Sequence, residues 1–206
     1  MDREEFLRVW DRLPDLKRAE LIDGVVYVAS PVSKDHASFQ FLMGAWLSLY
    51  TWKTPACEMA GEGTWKMLDS APQPDVHLVI RPECGGQSGF DGTFTTGAPE
   101  LAVEICVSSR EYDFGPKLAL YQRAGVREYI TVETFSNRIV WRELVDGSYR
   151  AIEPELDGSL RSRMFPGLWL DVEAFLNRRG PEIQSFLERG LSDPAHAGFV
   201  ERFGPG

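Results

Sequence analysis

Cysteine is scarce in this chain. Cys57, Cys84 and Cys106 are the only three among 206 residues, and they form no Cys-x-x-Cys pair. That rules out a disulfide framework and agrees with a reducing compartment. Long apolar runs are missing too, and nothing approaches the ~20 residues of a membrane span. The opening MDREEFLRVWDRL is charged and amphipathic, unlike a signal peptide. The expected location is therefore cytoplasmic. Positive charge is in short supply: 22 Lys and Arg face 31 Asp and Glu, a formal net charge of −9. Wholesale coating of a nucleic acid is excluded by that balance, although a local basic patch could still steer a polyanion. Lysine is rarer still in the second half. Lys117 is the only lysine after Lys66, and every other base in that stretch is arginine. Arginine is a permanently charged fork, whereas lysine is a compact cation, so the exception at 117 stands out. No internal repeat and no low-complexity tract is present.

What remains is enough for one sizeable core, with 43% hydrophobic and 26% charged residues. Residues 2 to 13 read as an amphipathic helix with Phe6, Val9 and Trp10 inward. Arg18 to Ala29 reads as a β-hairpin about Asp23-Gly24, with Glu20 on its first strand. Pro31 breaks the second strand. Ser33 or Asp35 then caps a largely buried helix from about His36 to Trp52. A strand over 57 to 68 and the run QPDVHLVI follow, and then a glycine-rich loop over 81 to 97. Beyond the central stretch come a strand at Arg127 to Thr134 and a second hairpin. Its arms, Arg138 to Leu144 and Tyr149 to Glu153, meet at Asp146-Gly147. SLRSRMFPGLWLDVEAFL ends in a short helix. This order predicts an α/β or α+β domain with a central mixed sheet flanked by helices, over residues 1–176. A polar, helical C-terminal tail is expected over 177–206.

The informative stretch is Ala98 to Gly125. Its apolar run Leu101 to Val107 reads as a buried strand interrupted by Glu104. Period-two alternation puts Leu101, Val103 and Ile105 on one face, and Ala102, Glu104 and Cys106 on the other. A carboxylate there is costly to desolvate unless a metal or a cation offsets it. A helix follows, with Asp113 as N-cap, Pro116 in the first turn, and Phe114, Leu118 and Tyr121 on one stripe. Gly125 ends it. Lys117 in its first turns opposes the helix dipole and so needs another partner. Asp75, placed by Pro74 at the mouth of an apolar strand, repeats the anomaly of Glu104. A lone strand acid is more often a salt-bridged edge residue. Two on neighbouring strands suit a hard divalent cation such as Mg²⁺, which a nearby lysine can assist at a phosphate. His36 is a candidate substrate contact, and His77 is expected to be structural. Cys106 has no nearby histidine to make it a nucleophile. The arginines at 123, 127, 138 and 142 read as solvated surface, with a phosphate-facing patch as the alternative.

Together, ELIDG at Glu20 to Gly24, the helix opening with His36, Pro74-Asp75, and APELAVEI followed by DFGPKLALYQRAGVREYITVE resemble the Uma-type putative restriction endonuclease family. That family belongs to the PD-(D/E)XK nuclease superfamily, and the likeness covers about residues 15 to 175. It implies a restriction-endonuclease-like core and a divalent metal, Mg²⁺ or Mn²⁺, held by Asp75, Glu104 and the carbonyl of Ile105. In the superfamily a lysine stands two residues after the second acid, where this chain has Cys106. The resemblance assigns that role to Lys117 on the following helix, and makes Glu20 a further site residue. Val107-Ser108-Ser109 departs from the usual Ser-Pro-Ser. The resemblance also implies a homodimer acting on DNA, for which the exposed hairpins and the tail residues Phe186, Leu187, Phe199 and Phe203 could supply a symmetric interface. The expected activity is metal-dependent hydrolysis of DNA phosphodiesters. The alternative is a silent nuclease-like domain that binds nucleic acid or a protein partner.

Overall fold

The computed structural model describes residues 1–13, 19–28, 32–106 and 111–203, with side chains at 111–114 left aside. Expectations that fall on Arg18, Ala29, Pro31, the loop at Val107-Ser108-Ser109, and the side chains of Asp113 and Phe114 lie outside these residues. In chain order the elements begin with α1 (Arg3–Trp10), β1 (Ala19–Ile22), β2 (Val25–Val28) and α2 (Lys34–Thr51). Then come β3 (Cys57–Ala60), β4 (Trp65–Lys66), β5 (Val76–Ile80), β6 (Gly89–Phe90), β7 (Thr95–Thr96) and β8 (Leu101–Cys106). The second half holds α3 (Glu111–Ala124), β9 (Glu128–Glu133), β10 (Arg138–Val145), β11 (Ser148–Ala151), β12 (Ser159–Arg161) and β13 (Trp169–Asp171). The chain closes with α4 (Val172–Leu176), α5 (Gly180–Leu191) and α6 (Pro194–Glu201).

Local chemistry sets these boundaries. Asp23 and Gly24 take φ of 50° and 81°, the left-handed pair that a two-residue hairpin turn demands, and Ile22 pairs with Val25 across it. Asp146 and Gly147 repeat the device between β10 and β11. Ser33 caps α2 by accepting the His36 N–H at 3.1 Å.

The main sheet has six strands in the order β11-β10-β9-β8-β5-β3, with β8 and β9 parallel and the remaining pairs antiparallel. The one parallel pair is the one joined by a helix, α3, which supplies the crossover it requires. Alternation along β8 divides the core. Leu101, Val103 and Ile105 join Leu78, Ile130, Val132 and Trp141 against Phe39, Met43, Trp46, Leu47 and Tyr50 of α2. On the opposite face Ala102 and Tyr129 pack with Leu120 and Tyr121 of α3, and with Trp65 and Met67. Helices thus cover both faces of a mixed sheet.

Two regions differ from the sequence reading. The strand expected over 57 to 68 splits into β3 and β4, because the chain turns at Gly61-Glu62-Gly63 with Glu62 at φ 57°. The stretch 81 to 97, expected as a loop, contains β6 and β7, which join β4 in a small three-stranded sheet. At the end of the chain, α5 and α6 carry apolar side chains inward. Ile183, Leu187 and Phe199 belong to the main core, and Phe186 is 7% exposed. Phe186, Leu187 and Phe199 are thus covered within the chain, and Phe203 packs partly buried against the same core, so these residues do not offer the dimer surface expected of them above. Each such burial is worth about 1.5–3 kcal/mol. Among the described residues no helix is long and apolar enough to cross a membrane.

Candidate active site

Four charged side chains from four separate elements converge at one end of β8. The register Val76↔Val103, taken one residue back, brings Asp75 beside Glu104. Asp75 Oδ2 accepts the Ile105 N–H at 2.7 Å and lies 3.2 Å from His36 Nε2. From the hairpin, Glu20 Oε1 accepts the Gln73 N–H at 2.5 Å and the Lys117 ammonium at 2.8 Å. Lys117 Nζ also reaches Glu104 Oε1 at 2.9 Å and the Gln73 carbonyl at 3.4 Å. Lys117 and Tyr121 stand four residues apart on one face of α3. Tyr121 accordingly donates its hydroxyl to the same Glu104 oxygen at 2.7 Å.

The side chains of Glu20, Asp75, Glu104, Lys117 and His36 are all less than a fifth exposed. Burial pushes the Glu104 carboxyl up to about 8; the Lys117 charge opposes this, while the negative charges of Asp75 and Glu20 add to it. Burial also works to raise Asp75. Its hydrogen bond to His36, the Lys117 charge and the Ile105 N–H outweigh that effect, and Asp75 stays below its ordinary value. For Lys117, burial favours the neutral amine, but Glu104, Glu20 and Asp75 overrule it and raise the pKa. The result is three acidic side chains around one firmly charged ammonium in a place with little water, with Glu104 held back from ionising.

A hard cation would favour the ionised form of Glu104 and offset the charge that results. Asp75 directs Oδ2 to both of its partners and Glu104 directs Oε1 to both of its own, so Oδ1 and Oε2 accept no hydrogen bond from the described residues. Two carboxyl oxygens with unused lone pairs suit Mg²⁺ or Mn²⁺ once Glu104 is ionised, and the donor set fits the metal. Among the described residues there is no ready-made cluster of three or more His, Cys, Asp or Glu ligands. Any further positions therefore fall to water, backbone carbonyl and substrate.

The other residues singled out by sequence take quieter places. His36 holds Asp75, with Nδ1 buried and unpartnered among the described residues. His77 is 6% exposed, packs edge-on against Trp65 and has its pKa lowered to about 4 by burial, a core histidine. Burial, followed by the charge of Glu104, pushes the Cys106 thiol up, the reverse of an activated nucleophile. Arg123 pairs with Asp23 at 2.6 Å and Arg138 with Glu133 at 2.8 Å, while Arg142 lies over the Tyr129 ring. These three are engaged within the chain rather than gathered as a phosphate-facing patch. Tyr121 and Gln73 were missed as site residues, although the i, i+4 spacing from Lys117 was a usable signal for Tyr121.

The site thus sits on a mixed sheet with helices on both faces, where Asp75, just ahead of β5, meets Glu104 of β8. The fold is similar to that in the crystal structure of a putative nuclease belonging to DUF820 from Anabaena variabilis ATCC 29413. The TM-score is 0.66 at 14% identity, over 91% of this chain and 99% of that one. Residues 3–173 match the Uma2 family model, described as putative restriction endonuclease, and the chain belongs to that family. No curated protein matches the chain.

Proposed function

We propose that this protein is a metal-dependent endonuclease that hydrolyses DNA phosphodiesters. Family membership supports the nuclease class. The observation that carries the site assignment is the helix-borne Lys117 ammonium, 2.9 Å from Glu104 and 2.8 Å from Glu20. Asp75 and Glu104 would hold Mg²⁺ or Mn²⁺. In a strand the N–H and C=O of one residue point to the same side. Since the Ile105 N–H meets Asp75, the Ile105 carbonyl shares that side and is the third candidate ligand. When bound, the metal supplies a hydroxide-like water at neutral pH and offsets charge on the phosphate. The chain's own groups position the reactants. Lys117 orients the attacking water and opposes the negative charge that develops on the phosphate oxygens. His36 and the Ile105 N–H fix Asp75, and Tyr121 fixes Glu104.

The test is nicking or linearisation of supercoiled plasmid DNA with Mg²⁺ or Mn²⁺, against Asp75→Asn. Cleavage by the wild type alone supports the assignment, and equal cleavage by both refutes it. A non-cutting domain is the second reading, favoured by the way Lys117 already partners two of the three acids and by the net charge of −9. DNA binding with no cleavage under any divalent cation would decide for it. We also propose a homodimer through β2. β2 is paired with β1 in a separate two-stranded sheet, and its Val25, Val26 and Val28 are 53%, 39% and 61% exposed.

A further inference from the structure

A groove of about 550 Å³ runs along α2 and ends at the candidate site. Gln40, Phe41, Gly44, Met59, Glu62 and Asp75 are among its lining residues. On the nuclease reading above, we propose that this groove seats one unpaired, amino-bearing nucleobase, adjacent to the phosphate held at Asp75 and Glu104. Its size falls within the ~300–1,000 Å³ of small-molecule sites. Three observations select a base over other ligands.

The first is Phe41. Phe39, Trp46 and Tyr50 on the same helix are buried, whereas Phe41 is 82% exposed. It stands at the groove with its ring uncovered, and an exposed aromatic face is what a base stacks on. The second is charge. No lysine or arginine is among the residues lining the groove, whereas the acids Glu62 and Asp75 are. A phosphate would be repelled there. A carboxylate instead accepts hydrogen bonds from amino groups on base edges, as on cytosine N4. The third is continuity with the site. A Cβ at Gly61 would come within 3.0 Å of the Asp75 carbonyl oxygen, so the backbones meet with no side chain between them. Gln40 Nε2 donates to Glu62 Oε1 at 2.9 Å and to the Asp75 carbonyl at 3.1 Å, tying the wall of the groove to the catalytic acid. The favoured substrate is therefore single-stranded DNA, or a duplex with an opened pair beside the scissile phosphate.

The experiment is fluorescence anisotropy in EDTA, so that nothing is cleaved. A labelled single-stranded oligodeoxycytidine is compared with a blunt duplex of equal length. Phe41→Ala is expected to weaken single-strand binding about 10-fold, Phe41→Tyr to retain it, and duplex binding to change little. Equal single-strand affinity for wild type and Phe41→Ala, or no single-strand binding by the wild type, overturns the proposal. A change in sedimentation coefficient on Phe41→Ala also overturns it, because it assigns Phe41 to a contact between copies of the chain. Plasmid cleavage is scored separately. Cleavage without Phe41 dependence defeats the groove proposal alone, whereas Phe41-dependent binding without cleavage defeats the nuclease reading alone.

Discussion

Replacing Glu104 by Gln should stabilise the metal-free protein, and by more as pH rises. Burial and two neighbouring carboxylates move the Glu104 pKa from 4.5 to about 8. Between these values the unfolded chain has released a proton that the folded chain keeps. Stability conferred by the neutral form is therefore complete below about pH 4.5 and is lost progressively toward pH 8. At ~1.36 kcal/mol per pH unit, the loss is about 3 kcal/mol near pH 7 and about 5 kcal/mol above pH 8. Gln keeps an acceptor for Lys117 and Tyr121 and cannot ionise, but it forfeits the attraction to the Lys117 charge. The net gain expected near pH 7 is about 1–3 kcal/mol, or roughly 2–10 °C in Tm for a domain of this size. Thermal melts in EDTA from about pH 5 to pH 9 read it out. Glu128, raised to about 7, titrates in the same window, so the quantity that matters is the difference between wild type and variant. A difference that does not grow with pH would refute the reasoning. Adding Mn²⁺ should reverse the order, since the wild type gains a ligand that the variant has lost.

Further outcomes follow from the same geometry. Lys117→Ala removes the ammonium that bridges Glu20 and Glu104, so melts should show a loss of about 2–4 kcal/mol, while cleavage in plasmid assays falls at least about 100-fold. Cys106→Lys in that background should restore part of the activity by returning an ammonium to the strand. Apparent Mn²⁺ affinity, measured by calorimetry, should rise with pH and level off near pH 8, because Glu104 must lose its proton to bind; a flat profile would exclude Glu104 as a ligand. His36→Ala frees Asp75 Oδ2 from one partner and should weaken metal binding by about 10- to 100-fold without unfolding the chain. Val28→Lys should shift a sedimenting dimer to monomer if β2 is the contact, and leave it unchanged otherwise.

Sequence alone could locate Glu104 and Asp75 because an acid in an apolar strand violates a local rule, and such violations stand out against a regular pattern. The same rule is indifferent to purpose. Glu128 begins β9 as an acid before the apolar YITV, is 1% exposed, and binds no site residue. Its oxygens instead accept from Trp141 Nε1, Ser162 Oγ and the N–H groups of Arg163 and Met164, clamping the connection between β12 and β13 to the sheet. Glu100 does likewise for the N–H groups of Ile80 and Gln87. What separates these carboxylates is the identity of their donors. Glu128 and Glu100 are surrounded mainly by neutral N–H and O–H groups that satisfy them where they stand. Glu104 instead shares one ammonium with Glu20, faces a third acid, and keeps an oxygen unused by the described residues. That distinction depends on which strands become neighbours, through pairings such as Val76↔Val103 and Leu101↔Glu128, and no local pattern encodes it. The C-terminal segment illustrates the converse. Pro181 and Pro194 read as breaks in a polar helical tail, yet each stands in the first turn of its own helix, where its missing N–H costs nothing. The apolar residues Phe186, Leu187 and Phe199 were visible in the sequence; the core that Leu187 and Phe199 join was not.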